Sequence, residues 1–195
     1  GCIGCFKCAE SAGECVFKKD DFGILRDKWL EADSVIYSIP VYHMGIPGQF
    51  KSFIDRLGNT LYFKLGGLKK HFKPIGVITQ GAHIFAGQEQ VMMAMINHAL
   101  VMGCLPVSGD PWQSYIGAGG WTCNGIEPNS IEGLYKKGET DAQAAVDASR
   151  SIGLRVAHVG LLIKNGAAVL KDMLSKQDIY SYLLDHFESV KSRIA

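Results

Sequence analysis

Residues 31–56 read EADSVIYSIPVYHMGIPGQFKSFIDR. Residues 34–39 (SVIYSI) form a short apolar, β-rich run closed by Pro40, the pattern of a buried strand. VYHMGIPGQ follows as a loop, and Pro47 suits the first turn of a helix. Phe50, Phe53, Ile54 and Leu57 then mark one helical face at i, i+3, i+4 and i+7, with Gly58 as its expected end.

The same alternation extends outward. Asp20 and Asp21 are candidate N-caps for a helix over 21–32, with Phe22, Leu25 and Trp29 on one face. Residues 73–80 (KPIGVITQ) read as a second buried strand, followed by the loop GAHIFAGQ at 81–88. A helix over 88–102 stops at Gly103, and 105–108 begins a third strand. Residues 109–138, rich in Gly, Pro, Trp and Asn, read as one long loop. A helix capped by Thr140 or Asp141 runs to about 164, where Asn165-Gly166 should break it, and further helices fill 165–195. Strands alternating with helices predict one α/β domain over 1–195 with an open parallel sheet. Three strands are few for so apolar a chain, so further β/α elements are expected upstream.

Composition agrees with a globular domain. The 195 residues are 47% apolar and 20% charged. A net charge of +1 gives no reason to expect a nucleic-acid or anionic-membrane partner. No uninterrupted apolar run approaches the roughly 20 residues that span a bilayer, and no leader pattern is visible. The first residue is Gly rather than Met, which suggests a fragment or trimmed chain. Six cysteines in a chain long enough to fold without disulfides point to a reducing, cytoplasmic setting.

Cys2, Cys5, Cys8 and Cys15 occupy the segment 1–20 with the spacing C-x2-C-x2-C-x6-C. Three thiols at intervals of three, among Gly1, Gly4 and Gly13, can line a turn, and cubane iron–sulfur clusters are held by such runs. Zinc is an alternative, although zinc sites commonly use two separated C-x2-C knuckles. Unligated or disulfide-linked thiols are the other. Lys7, Lys18 and Lys19 are candidate neutralising charges. Cys104 reads as a buried thiol and Cys123 as a loop thiol.

In open α/β sheets, ligands bind beyond the carboxyl ends of the strands. The loops 40–48 and 81–88 leave such ends. The first offers Pro40, the flat Tyr42, His43 and Gly45; the second offers Gly81, Ala82 and Gly87. Together they can sandwich a planar ring. Trp112, Tyr115, Trp121 and Asn124 can form a lid, a subunit contact or a loop pinned by its own aromatics. Met92, Met93, Met95 and Met102 read as core filler. No G-x-G-x-x-G, P-loop, H-E-x-x-H or G-x-S-x-G motif occurs.

CIGCFKCAESAGEC at 2–15, Asp20-Asp21, the block 31–56 and GVITQGAHIFAGQE at 76–89 together resemble the flavodoxin-like NAD(P)H-dependent FMN reductases, and within them the iron–sulfur flavoproteins. The block 31–56 is the most specific part, with Ile39 where the family usually has Ser, and the resemblance covers about residues 1–108. It implies a three-layer flavodoxin-like sheet and bound FMN. Pro40, Val41, Tyr42, His43 and Met44 would lie along the isoalloxazine. Thr79, Gln80, Gly81, Ala82 and Gly87 would meet its pyrimidine edge. Cys2, Cys5, Cys8 and Cys15 would hold a 4Fe–4S cluster.

The family's phosphate loop follows a first strand that has no counterpart here, and the GNT at 58–60 ends a helix instead of opening one. The resemblance therefore implies that an N-terminal β-α-β portion of roughly 40 to 50 residues is missing. The implied function is electron transfer among NAD(P)H or a ferredoxin-type donor, the cluster, FMN and a small-molecule acceptor, in a dimer or tetramer. The alternatives are an FMN or quinone reductase without a cluster, and a zinc-stabilised or redox-sensing binding domain. No residue emerges as catalytic.

Overall fold

The computed structural model describes residues 1–194, with side chains through Ser189. A cysteine-bearing segment contains one helical turn, α1 (Lys7–Glu10), and precedes α2 (Phe22–Glu31). Then follow β1 (Val35–Pro40), α3 (Gly48–Lys64), β2 (Pro74–Gly81), α4 (Gln88–Val101) and β3 (Leu105–Pro106). A 3-10 turn (Trp112–Ser114) leads to β4 (Ala118–Trp121), α5 (Ser130–Lys136) and α6 (Thr140–Val169). The chain closes with α7 (Lys171–Leu174), a 3-10 turn (Asp178–Tyr180) and α8 (Ser181–Ile194).

β1 and β2 pair in parallel from Val35↔Ile75 to Pro40↔Gln80. β3 pairs with the start of β2 and β4 with its end, both in parallel. Since β1 takes one edge of β2, β3 and β4 share the other as one interrupted rung. The open parallel sheet is thus present, with a fourth strand inside the stretch read as loop. That stretch also holds a 3-10 turn and α5. β4 (AGGW) has little intrinsic strand preference. Packing accounts for the glycine in the strand and the one before it: a Cβ on Gly119 would lie 2.8 Å from Met92 Cε, and one on Gly117 2.7 Å from the Val77 carbonyl oxygen.

Alternate strand residues serve two cores. Tyr37, Ile39, Ile75 and Val77 pack with Leu57, Leu61, Val91 and Met95 of α3 and α4. Each such aliphatic side chain contributes about 1.5–3 kcal/mol of burial. On the opposite face, Ala118 packs with Ala148, Ile152 and Val156 of α6. That helix comes so close that a Cβ on Gly76 would lie 2.6 Å from Ile152. By length and composition α6 could cross a bilayer, but one of its faces is packed on the sheet.

Two expected helix ends are continuous helix instead. Gly58 lies inside α3, because Leu57 and Leu61 bury the turns on either side of it. Asn165-Gly166 does not break α6. The Asn165 amide donates to the Leu161 carbonyl at 2.8 Å, and Ala167, two residues on, packs with Leu174, Leu183 and Phe187. That packing outweighs the ~1 kcal/mol by which Gly disfavours a helix interior. Near α2, Asp21 makes no side-chain cap bond, while the Asp20 carboxylate accepts from the Phe22 amide at 3.3 Å.

The outer edge of β1 pairs with no strand among the described residues. Ile36 there is 41% exposed. An apolar groove of about 710 Å³ runs beside it, lined by Trp29, Tyr37, Ile39, Phe50 and Phe53 among others.

Candidate functional site

β1 and β2 end side by side, and the Val41 amide donates to the Gln80 carbonyl at 2.8 Å. The chain then reverses at once. Tyr42 and Gly45 exchange two 3.0 Å backbone hydrogen bonds, and His43 and Met44 between them have φ of 47° and 67°. Two consecutive positive φ values make this a turn of the type I′ kind, which non-glycine residues adopt only under strain. The loop after β2 is tied to the chain leaving β4: the Thr122 amide donates to Gly81 (3.2 Å) and the Asn124 amide to Ala82 (2.9 Å).

These three strand ends enclose a cleft of about 590 Å³, within the range of small-molecule sites. Six of the ten positions named for a flavin line it: Pro40, Val41, Tyr42, Gln80, Gly81 and Ala82. Met44 and Gly87 line a neighbouring cleft of about 650 Å³ with Gln88, Met92 and Trp121. Thr79 is 2% exposed, its hydroxyl has no partner among the described residues, and it borders a third cleft beneath α6. His43 is exposed in its turn and lines none of the three. Gly87 nevertheless joins the two loops. Its φ is 106°, and a Cβ there would lie 2.7 Å from the Met44 carbonyl oxygen.

Sequence reading missed the third wall, Thr122 and residues 125–132. The signal available was Pro128-Asn129-Ser130, a turn-then-helix pattern at the start of α5. Two braces were also missed. The Gln88 amide donates to the His83 carbonyl (2.7 Å) and the Gly120 carbonyl (3.2 Å), and His83 Nδ1 meets Asn124 Oδ1 at 2.5 Å. Trp121 is no free lid, because its indole donates to Asp141 at 3.1 Å. A planar heteroaromatic fits the main cleft: it finds a flat Tyr42 edge and the main chain of three strand ends.

A separate cleft gathers all four N-terminal cysteines with Ile3, Phe6, Val16 and Phe17, closed by Arg56, Asn59 and Thr60 of α3. Burial pushes the Cys8 thiol up, and after the opposing pull of a backbone hydrogen bond, the charges of Cys2, Cys5 and Cys15 push the same way. Among the described residues no three His, Cys, Asp or Glu side chains close around a single point. All six cysteines are free thiols, Cys104 buried and Cys123 exposed. Of the lysines expected to neutralise the cysteine segment, Lys18 is engaged by Glu14 at 3.0 Å. The buried cation at the cleft is Arg56, from a helix forty residues downstream in round terms.

Parallel strands, helices on both faces and a ring-sized cleft at the carboxyl ends define an α/β protein of the flavodoxin-like class. The chain belongs to the NADPH-dependent FMN reductase family, whose model matches residues 4–114. It is an FMN-dependent oxidoreductase of that family. It is 32% identical to an iron-sulfur flavoprotein of Methanocaldococcus jannaschii, over 84% of this chain and 76% of that protein. An iron-sulfur flavoprotein of Archaeoglobus fulgidus is 28% identical over the same shares, 84% and 76%. An FMN-dependent NADH:quinone oxidoreductase of Sinorhizobium fredii is 40% identical over 72 residues, 34% of this chain and 35% of that one. Among solved structures, the Trp repressor binding protein from Bacillus subtilis superposes in part, at 24% identity and a TM-score of 0.49, covering 68% of this chain and 72% of that one.

Proposed function

We propose that this oxidoreductase passes electrons among NAD(P)H or a ferredoxin-type donor, a 4Fe–4S cluster on Cys2, Cys5, Cys8 and Cys15, FMN and a small-molecule acceptor. The observation that carries this reading is that both clefts hang on α3. The loop behind the flavin cleft feeds the start of the helix at Gly48, and Arg56 and Asn59 face the cysteine cleft. Eight residues of helix separate Gly48 from Arg56, about 12 Å along the axis. FMN exchanges electrons in pairs or singly, and a cluster singly, so the pair couples the two kinds of partner. Four soft thiol donors without a carboxylate suit iron–sulfur ligation in their chemistry.

The chain's own residues position the ring. The Tyr42 side chain flanks it, and Gly81 and Ala82 let it approach the main chain. We also infer that the free edge of β1 receives a further parallel strand of the same polypeptide, followed by a helix. The unpaired edge, the exposed Ile36 and the adjacent apolar groove support this. The phosphate-binding loop would belong to that unit, because in the family it follows a first strand that has no counterpart among the described residues. Assembly as a dimer or tetramer in the cytoplasm completes the reading.

The second reading, an FMN reductase without a cluster, draws on the cysteines not being closed around one point and on the similarity to the quinone oxidoreductase. Anaerobic purification followed by absorption spectroscopy with iron and sulfide analysis separates the two. Flavin bands with a broad, reducible shoulder and iron present support the first reading, and flavin without iron supports the second. Cys8→Ala should lower iron while FMN occupancy persists; unchanged iron contradicts the cluster.

A further inference from the structure

Arg56 is 7% exposed, yet it is a cation among thiols and phenyl rings. Its Nη1 donates to Asp20 at 2.5 Å, and its Nη2 donates to the Phe17 carbonyl at 2.9 Å. The guanidinium carbon lies 4.0 Å from the centre of the Phe22 ring. One residue of α3 therefore grips the arm that leaves Cys15. Its Nε is buried with no partner among the described residues. Cys15 and Arg56 line the same cleft.

The rest of α3 continues the same contact surface. Asn59 Nδ2 lies 3.6 Å from Cys2 Sγ while also donating to the Asp55 carbonyl. The Thr60 hydroxyl turns back to its own helix and donates to the Arg56 carbonyl at 2.8 Å, so it does not serve the cleft. A Cβ on Gly13 would lie 2.5 Å from the Thr60 carbonyl oxygen, which shows how tightly the segment is seated. Charge is arranged to match. Glu14, beside Cys15, is met by Arg26 at 2.8 Å, Lys18 at 3.0 Å and Lys64 at 3.5 Å. With Arg56, four cations face three carboxylates, Glu14, Asp20 and Asp27, the last meeting Arg26 at 2.8 Å. The surplus suits a group that brings net negative charge, as four thiolates around iron do.

We propose that Arg56 and Asn59 are positioning residues for the sulfur ligands: Arg56 fixes the 15–20 arm and places a permanent positive charge beside Cys15, and Asn59 donates a hydrogen bond to the Cys2 sulfur. The charge-tuning part rests on the cluster reading above, while the clamping of the arm stands without it. Partners that hold and hydrogen-bond metal ligands set affinity and potential. Arg is suited to the task because its rigid planar fork aims separate N–H groups at the Asp20 carboxylate and the Phe17 carbonyl while its face lies on the Phe22 ring, a geometry the flexible ammonium of Lys does not reproduce.

The test compares wild type, Arg56→Gln, Arg56→Lys and Asn59→Leu after anaerobic reconstitution with ferrous iron and sulfide. Iron retention against a chelator, cluster midpoint potential and amide exchange over 17–22 are measured. FMN binding serves as the control for folding. Arg56→Gln should lose iron about tenfold more readily, shift the potential negative and speed exchange by about tenfold or more. Arg56→Lys should restore most of the potential but not the exchange protection. Asn59→Leu should weaken iron retention and leave exchange over 17–22 unchanged. Wild-type iron retention, potential and exchange in Arg56→Gln would overturn the proposal. If Arg56→Gln does not fold, Arg56→Lys and Asn59→Leu decide by the same measures. If wild type itself takes up no iron, the cluster reading fails on its own, and exchange in Arg56→Lys still decides the clamp.

Discussion

The indole Nε1 of Trp29 donates a 2.8 Å hydrogen bond to the Tyr37 hydroxyl, tying α2 to β1 inside the core. Both side chains are buried, and burial pushes the Tyr37 phenol up, so the pair stays neutral. Tyr37→Phe leaves the indole N–H without an acceptor in a dry environment. The expected loss is about 1–3 kcal/mol of unfolding free energy. Urea unfolding of Tyr37→Phe, Trp29→Phe and the double variant checks it. The two losses should fall short of adding.

Gly87→Ala tests the seam between the two loops of the cleft proposed for the flavin. The left-handed φ and the Met44 main chain both oppose a Cβ. The loop must move, at about 1–3 kcal/mol. Because the turn at 42–45 moves with it, FMN affinity should fall about tenfold by flavin fluorescence titration.

His71 gives the fold an acid limit. Burial, then the charge of Lys73 nearby, pushes its imidazole down to about 3 from an ordinary value of 6.5. The unfolded chain therefore binds a proton that the folded chain refuses between those values. Stability is full above pH 6.5 and falls as pH drops toward 3, by a few kcal/mol at most. His71→Phe keeps the ring contacts with Trp29 and Tyr182 in outline. It should flatten this slope in pH-dependent denaturant titrations.

Asp33 anchors the C-terminal helix. Its carboxylate accepts from His186 at 2.8 Å and from Lys164 at 3.2 Å. Burial works against the charge, but these two partners hold the carboxyl below its ordinary range. Asp33→Ala should loosen α8 by about 1 kcal/mol, since the pair is partly open to solvent. Limited proteolysis should then clip the chain beyond residue 177 sooner, with the cleft at the strand ends intact.

The thiols outside the N-terminal segment should separate cleanly. Burial pushes the Cys104 thiol up to about 12, while Cys123 is exposed. Iodoacetamide on native protein should modify Cys123 and spare Cys104 until unfolding, as read by peptide mass spectrometry.

The elements legible in the sequence are those whose burial follows a regular period. SVIYSI and KPIGVITQ are apolar runs of strand length, and the strands Val35–Pro40 and Pro74–Gly81 lie within a residue or so of them. Helices α2, α3 and α4 likewise carry an apolar face at helical spacing. β4 was hidden because three of the residues at 117–120 are glycines, whose strand conformation comes from Met92 and Val77 pressing on them. The helix through Gly58 and the one through Asn165-Gly166 were hidden for the converse reason: local signals favour an end, and contacts distant in sequence keep the helix going.

The candidate sites divide along the same line. Four cysteines within fifteen residues and two loops leaving strand ends are local facts, and the structure has a cleft at each. The wall at 125–132, the Gln88 brace and the Arg56 clamp join residues thirty or more positions apart. By itself the sequence determined the parallel α/β architecture, the donor chemistry of the thiols and the end of the sheet where a ring can lie, because each follows from periodicity or from residue type. Only the tertiary structure decided which cation attends the cysteines, how the last rung of the sheet is split and that α3 links the two clefts, because those depend on close approach between segments that no local pattern encodes.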